Sequence, residues 1–339
     1  MRRLALIAGF SLLARLAFAQ RADVIYVQGS VDLQPAGQDR TQAQIGDALN
    51  VGDSIITGDD GSAQLQKQDT TQINVSPDTV FTLRQRSSSG GQKQDVLSVA
   101  LGSITFSFNQ LAGNEPDIST PSASAGIRGT VLTVYAGADG SSLFIVKEGR
   151  VAVQSGGKTE LVTKDEGVEV NPGQAPGEKF KALHGFVNYS TWNKQKLDNI
   201  LLDPQGAALK VEAQMKDYIQ DIHKLAPEYN KTFAELTRQR AKRDAIGKEL
   251  GKAAMEQYGQ EHVYPLELLA TAQIINLRYY SLSAFSLKRF VLGRMYIRLA
   301  SMYITDQQNP VYRKFIEIYD KTVKTFDEEV VPLLVPADI

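Results

Sequence analysis

"ISTPSASAGIRGTVLTV", residues 118–134, sets one arginine between two glycines, behind a proline and a run of small residues, and ahead of alternating β-branched residues. The second part fixes the local class. "TVLTVYA" from Thr130 alternates with the period of a strand, so no helix start follows the glycines. A phosphate cradle needs backbone amides converging at such a start and, in its commonest form, a lysine, and both are missing. The remaining physical reading is a turn: Pro121 stiffens the entry, Ala123 and Ala125 permit close packing, and Gly126 and Gly129 let the chain bend around Arg128, just ahead of Thr130. A guanidinium held there would clamp several carbonyls with its fixed fork of donors, or else face outward to an anion or partner.

Working outward, the strand period continues on both sides. "VIYVQGSVDLQ" from Val24, "DVLSVALGSITFSF" from Asp95 and "SLFIVKEGRVAVQS" from Ser142 are bounded by Gly, Asp, Asn or Pro, so residues 22–178 read as a mainly β domain. "GSVDL" at Gly29, "GSITF" at Gly102 and "GRVAV" at Gly149 each predict a glycine turn feeding a strand. In "TGDDGS", Asp59 and Asp60 read as turn formers whose carboxylates bond backbone.

The period then changes to that of helices, which predicts an all-α domain over 192–335 and a hinge at 179–191. Asp203 caps a helix with Pro204 at its first position. Pro227 predicts the start of another, a third pattern from Pro265 to Ile304 is broken near Ser281–Ser286, and Pro310 begins the last. The expected form is an antiparallel bundle of four or five helices. Tyr279, Tyr280, Tyr296 and Tyr303 lie in its most aromatic stretch. They read as core or seam, or as a docking face for a partner.

Residues 1–19 carry Arg2 and Arg3, an apolar run and Ala17-Phe18-Ala19, the pattern of a secretory signal peptide cut after Ala19. The 339 residues include no cysteine, which suits a bacterial envelope compartment better than a disulfide-stapled secreted domain. No later stretch is apolar enough to span a bilayer, although Lys288, Arg289, Arg294 and Arg298 among large apolar residues suit peripheral membrane contact. Residues 22–180 hold nineteen acidic against eleven basic side chains, which argues against nucleic acid.

Catalytic groupings are missing from the sequence. His184, His223 and His262 are too dispersed for a zinc site, no Gly-x-Ser-x-Gly elbow occurs, and Glu115 and Asp117 are a pair only if folding makes them one. The expectation is a protein that is not an enzyme and uses no cofactor and no metal.

"STPSASAGIRGTVLTVYAG", residues 119–137, resembles the signature of the FecR domain. "GSVDLQ" at Gly29, "IGDALNVGDSIITGDDGSAQL" over 45–65, "LGSITF" at Leu101, "KEGRVAV" from Lys147 and "KDEGVEVNPG" from Lys164 follow in the family's order, over about residues 24–176. The resemblance implies a periplasmic β domain, short-stranded and solenoid-like, that works without catalysis. In the regulators that named the family, this domain relays a receptor signal to a sigma factor through a cytoplasmic segment and one membrane span. Neither piece is legible here, so the expectation is a stand-alone form lacking the anti-sigma segment. It would sit in the periplasm or at the outer-membrane surface of a Gram-negative-type bacterium. The function expected is a noncatalytic scaffold or adaptor that binds another envelope protein, with a peptidoglycan or glycan binding module as the alternative.

Overall fold

A computed structural model describes residues 21–67, 71–87, 92–108, 116–182 and 187–334. The signal-peptide expectation, His184 and Glu115 lie outside them. Among the described residues fifteen strands form one sheet, and helices follow it.

β1 (Ala22–Gln28) and β2 (Val31–Gln34) part at Gly29, and each leads its own branch. β3 (Thr41–Gln42) and β5 (Ser54–Thr57) pair with β2, while β4 (Ala48–Leu49) and β6 (Ser62–Lys67) pair with β1. β7 (Gln72–Val75) continues from β6, β8 (Val80–Ser87) continues from β5, and both meet the long β9 (Lys93–Ser107). The two branches rejoin through the β1–β2 turn and enclose a small barrel. Its interior holds Val24, Val31, Ile55, Leu65, Phe81 and Phe106, all but sealed from water.

On the other side of β9 lie β10 (Asp117–Ser119) and β11 (Ser124–Ala136), followed by β12 (Ser142–Ser155). β13 (Lys158–Thr163) and β14 (Glu166–Val170) share β12, and β15 (Phe180–Lys181) closes the edge. Every pairing is antiparallel except β9 with β10. The solenoid-like expectation is therefore corrected to a sheet with a small barrel: a solenoid stacks parallel strands through crossovers, and these strands are joined mostly by tight turns and short loops.

Of the three glycine pieces expected to be turns, one is a turn and two are not. Gly29 (φ +66°) turns β1 into β2. Gly102 (φ +102°) and Gly149 (φ +77°) instead lie inside β9 and β12, which run straight through them. At Gly102 the neighbours of β9 change from β8 and β10 to β7 and β11, and at Gly149 the neighbour of β12 changes from β14 to β13. A left-handed residue kinks a strand enough to hand it to a new partner without ending it.

Helices begin at α1 (Tyr189–Leu202), capped by Asn188, three residues before the sequence boundary. α2 (Pro204–Leu250) starts as expected, with the Asp203 carboxylate accepting from Gly206 N at 2.9 Å. It then runs through Pro227, which corrects the expected new start there. One proline removes a single helical donor, and the Leu225, Ala226 and Tyr229 side chains around it pack on the apolar cluster. α3 (Lys252–Tyr258), α4 (Tyr264–Ser286) and α5 (Gly293–Met302) are joined by π-helical turns at Gly259–Val263 and Leu287–Leu292. The expected break at 281–286 is thus a π turn immediately after it. α6 (Pro310–Glu329) and the short α7 (Val331–Leu334) complete four helical rods among the described residues, in which no helix is long and apolar enough to cross a membrane.

Helices and sheet share a buried seam. Phe290 packs on Val80, Ala100 and Leu101, the outward face of β8 and β9, and Trp192 packs on Tyr135, Leu143 and Ile145. This is why β9 is buried over most of its length and reads as a nearly continuous apolar run. From residue 224 to its end, α2 buries only Thr232 and Leu236, and α3 buries nothing. That distal half forms a two-rod arm with the start of α4, held by Leu236, Val263, Leu266 and Ala270.

Candidate functional site

The opening motif lies on this seam. Its first half is a locked turn: Thr120 N donates to Ala123 O at 2.9 Å, and Ala123 N returns to Thr120 Oγ1 at 3.1 Å. Ser142 Oγ bonds Thr120 Oγ1 at 2.7 Å, and Ser122 Oγ donates to Val170 O at 3.0 Å. Pro121 is buried, and its carbonyl accepts the Tyr218 hydroxyl of α2 at 3.0 Å. Ser119 Oγ accepts the Tyr279 hydroxyl of α4 at 3.2 Å. The small residues therefore seat two helices on the sheet, so the segment is a socket as well as a strand entry.

The second half does not turn. β11 runs unbroken from Ser124 to Ala136, which corrects the expected bend around Arg128. Gly129 (φ +51°) is the bulge at which β11 changes partner from β10 to β9, and Gly126 is an ordinary strand residue opposite Asp117 and Ala152. Thr130 is buried and donates to Arg150 O at 3.1 Å. The backbone of Arg128 pairs with Arg150; its side chain, and with it the clamp expectation, lies outside the described residues.

The four tyrosines do not share one face. Tyr279 is buried at the socket, and Tyr280 beside it is half-buried and T-shaped to it at 5.0 Å. Tyr296 stacks on Tyr319 at 4.6 Å and Tyr303 on Tyr312 at 5.4 Å, so both belong to the α5–α6 seam. His223 pairs with Glu329 and His262 lies against the Tyr258 ring. Asp60 accepts from Ser30 N at 3.0 Å and so ties the β1–β2 turn.

Sequence reading missed the most buried charge at the seam. Arg84 of β8 is buried, and its guanidinium donates to Ser283 and Ser286 of α4. Burial lowers its pKa, with the nearby Tyr279 and Tyr218 hydroxyls opposing. The available signal was "SLSAFS", residues 281–286, where serines recur within an otherwise apolar helix. Nearby, Trp192 Nε1 donates to Glu169 Oε2 at 2.9 Å, and Lys196 pairs with the same carboxylate.

A cleft of about 460 Å³ opens between the socket, the β12–β13 turn and the faces of α2 and α4. Arg86 stands at its edge and pairs with Asp117. Burial raises the Asp117 pKa from its ordinary value, against the pull of Arg86. Burial, with Asp221 adding to it, pushes Tyr280 up to about 12.

The raised Asp117 value has a testable sign. The folded state holds a proton that the unfolded chain has released, so this group's contribution to stability falls as pH rises from about 3.9 through the raised folded value. Urea midpoints followed across that window should decline in the wild type relative to Asp117→Asn. Parallel pH courses would show that Asp117 does not titrate there.

A barrel-bearing sheet whose signature turn seats helical rods defines a two-part module, mainly β and then α. Residues 53–152 match the family model described as FecR protein. Two crystal structures described as a "putative anti-sigma factor" from Parabacteroides distasonis ATCC 8503 are similar in part. One is 18% identical, covers 38% of this chain and 59% of its own, and has a TM-score of 0.33. The other is 16% identical and covers 48% and 73%, with the same TM-score. The chain thus spans less than two thirds of the first. A comparison with curated proteins finds no match.

Proposed function

We propose that this protein is a noncatalytic bacterial cell-envelope adaptor that binds another envelope protein through its helical arm. The observation that carries the reading is the arm itself. Leu250, Tyr264, Leu268 and Leu269 are exposed there, beyond the part of α2 that packs on the sheet. Tyr264 and Leu268 stand one turn apart on one face, the spacing at which a partner helix or groove reads anchors. The FecR domain supports an envelope setting and a regulatory or signalling role. In this reading residues 1–19 are the secretory signal, 22–178 and 192–335 are the two domains with 179–191 between them, and the seam carries the arm at a fixed place on the sheet.

A photo-crosslinking residue at 268 in cells should trap one reproducible envelope protein, and Leu268→Asp with Leu269→Asp should abolish its capture on the folded protein. The same trapped set at an exposed polar position such as Lys158 would reject the arm as a docking element.

A further inference from the structure

The cleft between the FecR socket and the helices is independent of the arm, and its chemistry is of another kind. Its floor is already satisfied. Tyr218, Tyr279 and Ser122 spend their hydroxyls on the socket, and Ser155 Oγ is bonded to Ser122 O at 2.7 Å and Gln174 O at 2.6 Å. Such a floor holds its shape without a ligand.

Its cations are spent as well. Arg86 pairs with Asp117 and donates to Gln94 Oε1 at 3.2 Å, and Lys224 donates to Asp221 at 3.0 Å. Among the described residues that line it, the side chains of Ser124, Gln154, Gln220, Tyr280 and Asp217 make no hydrogen bond, a mainly neutral set. Gly156 and Gly157 leave one wall free of side chains.

That set discriminates among ligand classes. An anion would meet cations that already have carboxylate partners, with the Asp217 carboxylate beside them. An apolar ligand would strand amides and hydroxyls without water. A peptide adding as a strand needs a free edge, and β11 at Ser124 is paired on both sides, by β10 and β12. A hydroxyl-rich ring satisfies amides, hydroxyls and a carboxylate at once and lays its C–H face on a tyrosine, and the volume is within the ~300–1,000 Å³ of small-molecule sites.

We propose that this cleft binds a neutral saccharide, about a disaccharide in length, with Tyr280 as the stacking platform and Gln154, Gln220 and Asp217 as its hydrogen-bonding partners. The proposal goes beyond the adaptor reading and does not depend on it.

The test titrates the full chain with cellobiose and di-N-acetylchitobiose, using saturation-transfer NMR and calorimetry. Expected is saturable binding of at least one sugar in the millimolar range or tighter. It should weaken about tenfold or more in Tyr280→Ala and in Gln154→Ala, roughly 1.4 kcal/mol, and stay unchanged in Tyr296→Ala. Gln154 is exposed on β12, so its variant keeps the proposal testable if Tyr280→Ala perturbs the fold. No saturable binding of either sugar, or binding that both cleft variants leave unchanged, overturns the proposal. Neither result bears on crosslinking through residue 268, which tests the arm alone.

Discussion

Gly102→Ala is expected to lower the unfolding free energy by about 3 kcal/mol or more. Two independent costs add at this position. Its φ of +102° lies where L side chains are strained, a cost of about 1–3 kcal/mol. An added Cβ would also meet Thr79 Oγ1 at 2.2 Å and Thr79 Cα at 2.5 Å, and relieving such overpacking costs about 1–3 kcal/mol. Thr79 cannot step aside, because its hydroxyl bonds Pro77 O at 3.0 Å and accepts from Ser103 N at 3.0 Å. Gly129→Ala is the control. It has a positive φ too, but nothing lies within 4 Å of the added Cβ, so only the conformational cost of about 1–2 kcal/mol should appear. Equilibrium urea unfolding of both variants gives the comparison. Equal losses, or a Gly102→Ala loss under about 0.5 kcal/mol, would reject the account of Gly102 as the kink that hands β9 to new neighbours.

Replacing Ser283 and Ser286 together by alanine should cost about 3–5 kcal/mol, because it strands a buried guanidinium. Ser283 Oγ donates to Tyr279 O at 2.8 Å and accepts from Arg84, so it passes the charge onto the helix backbone. Without the two hydroxyls, Arg84 keeps its desolvation penalty and loses both of these acceptors. Arg84→Met removes the charge and its need for partners together, and should cost less than the double serine variant. Combining all three changes should restore part of what the serine pair lost. Urea midpoints measure the cycle, and hydrogen exchange of α4 shows whether the loss is felt at the seam. If Arg84→Met proved the more damaging, the guanidinium would be a net source of stability and not a charge that the serines merely accommodate.

These two positions also show where local reading stops. The pattern around Gly102 predicts a turn, since "LGSITF" resembles "GSVDL" at a true turn, and the structure keeps the left-handed glycine but runs the strand through it. Whether such a glycine ends a strand or bends it depends on β7 and β11 waiting beyond it, and those neighbours come from distant parts of the chain. Pro227 is the helical counterpart. Its lost donor is a local signal for a boundary, and packing of Leu225, Ala226 and Tyr229 outweighs it.

By itself the sequence determined the order of a mainly β part and a helical part, the start of α2 at Asp203-Pro204, the start of α6 at Pro310, and the FecR signature. Each of these is written in periodicity, capping chemistry or a run of neighbouring residues, so a window of a few turns suffices to read it. Only the tertiary structure decided that the signature turn is a socket for Tyr218 and Tyr279, that Arg84 answers Ser283 and Ser286 two hundred residues later, and that a polar cleft lies between them. Hydrogen bonds and burial across such separations follow from how the sheet and the rods pack, and no local pattern specifies which distant partner a buried polar group will meet.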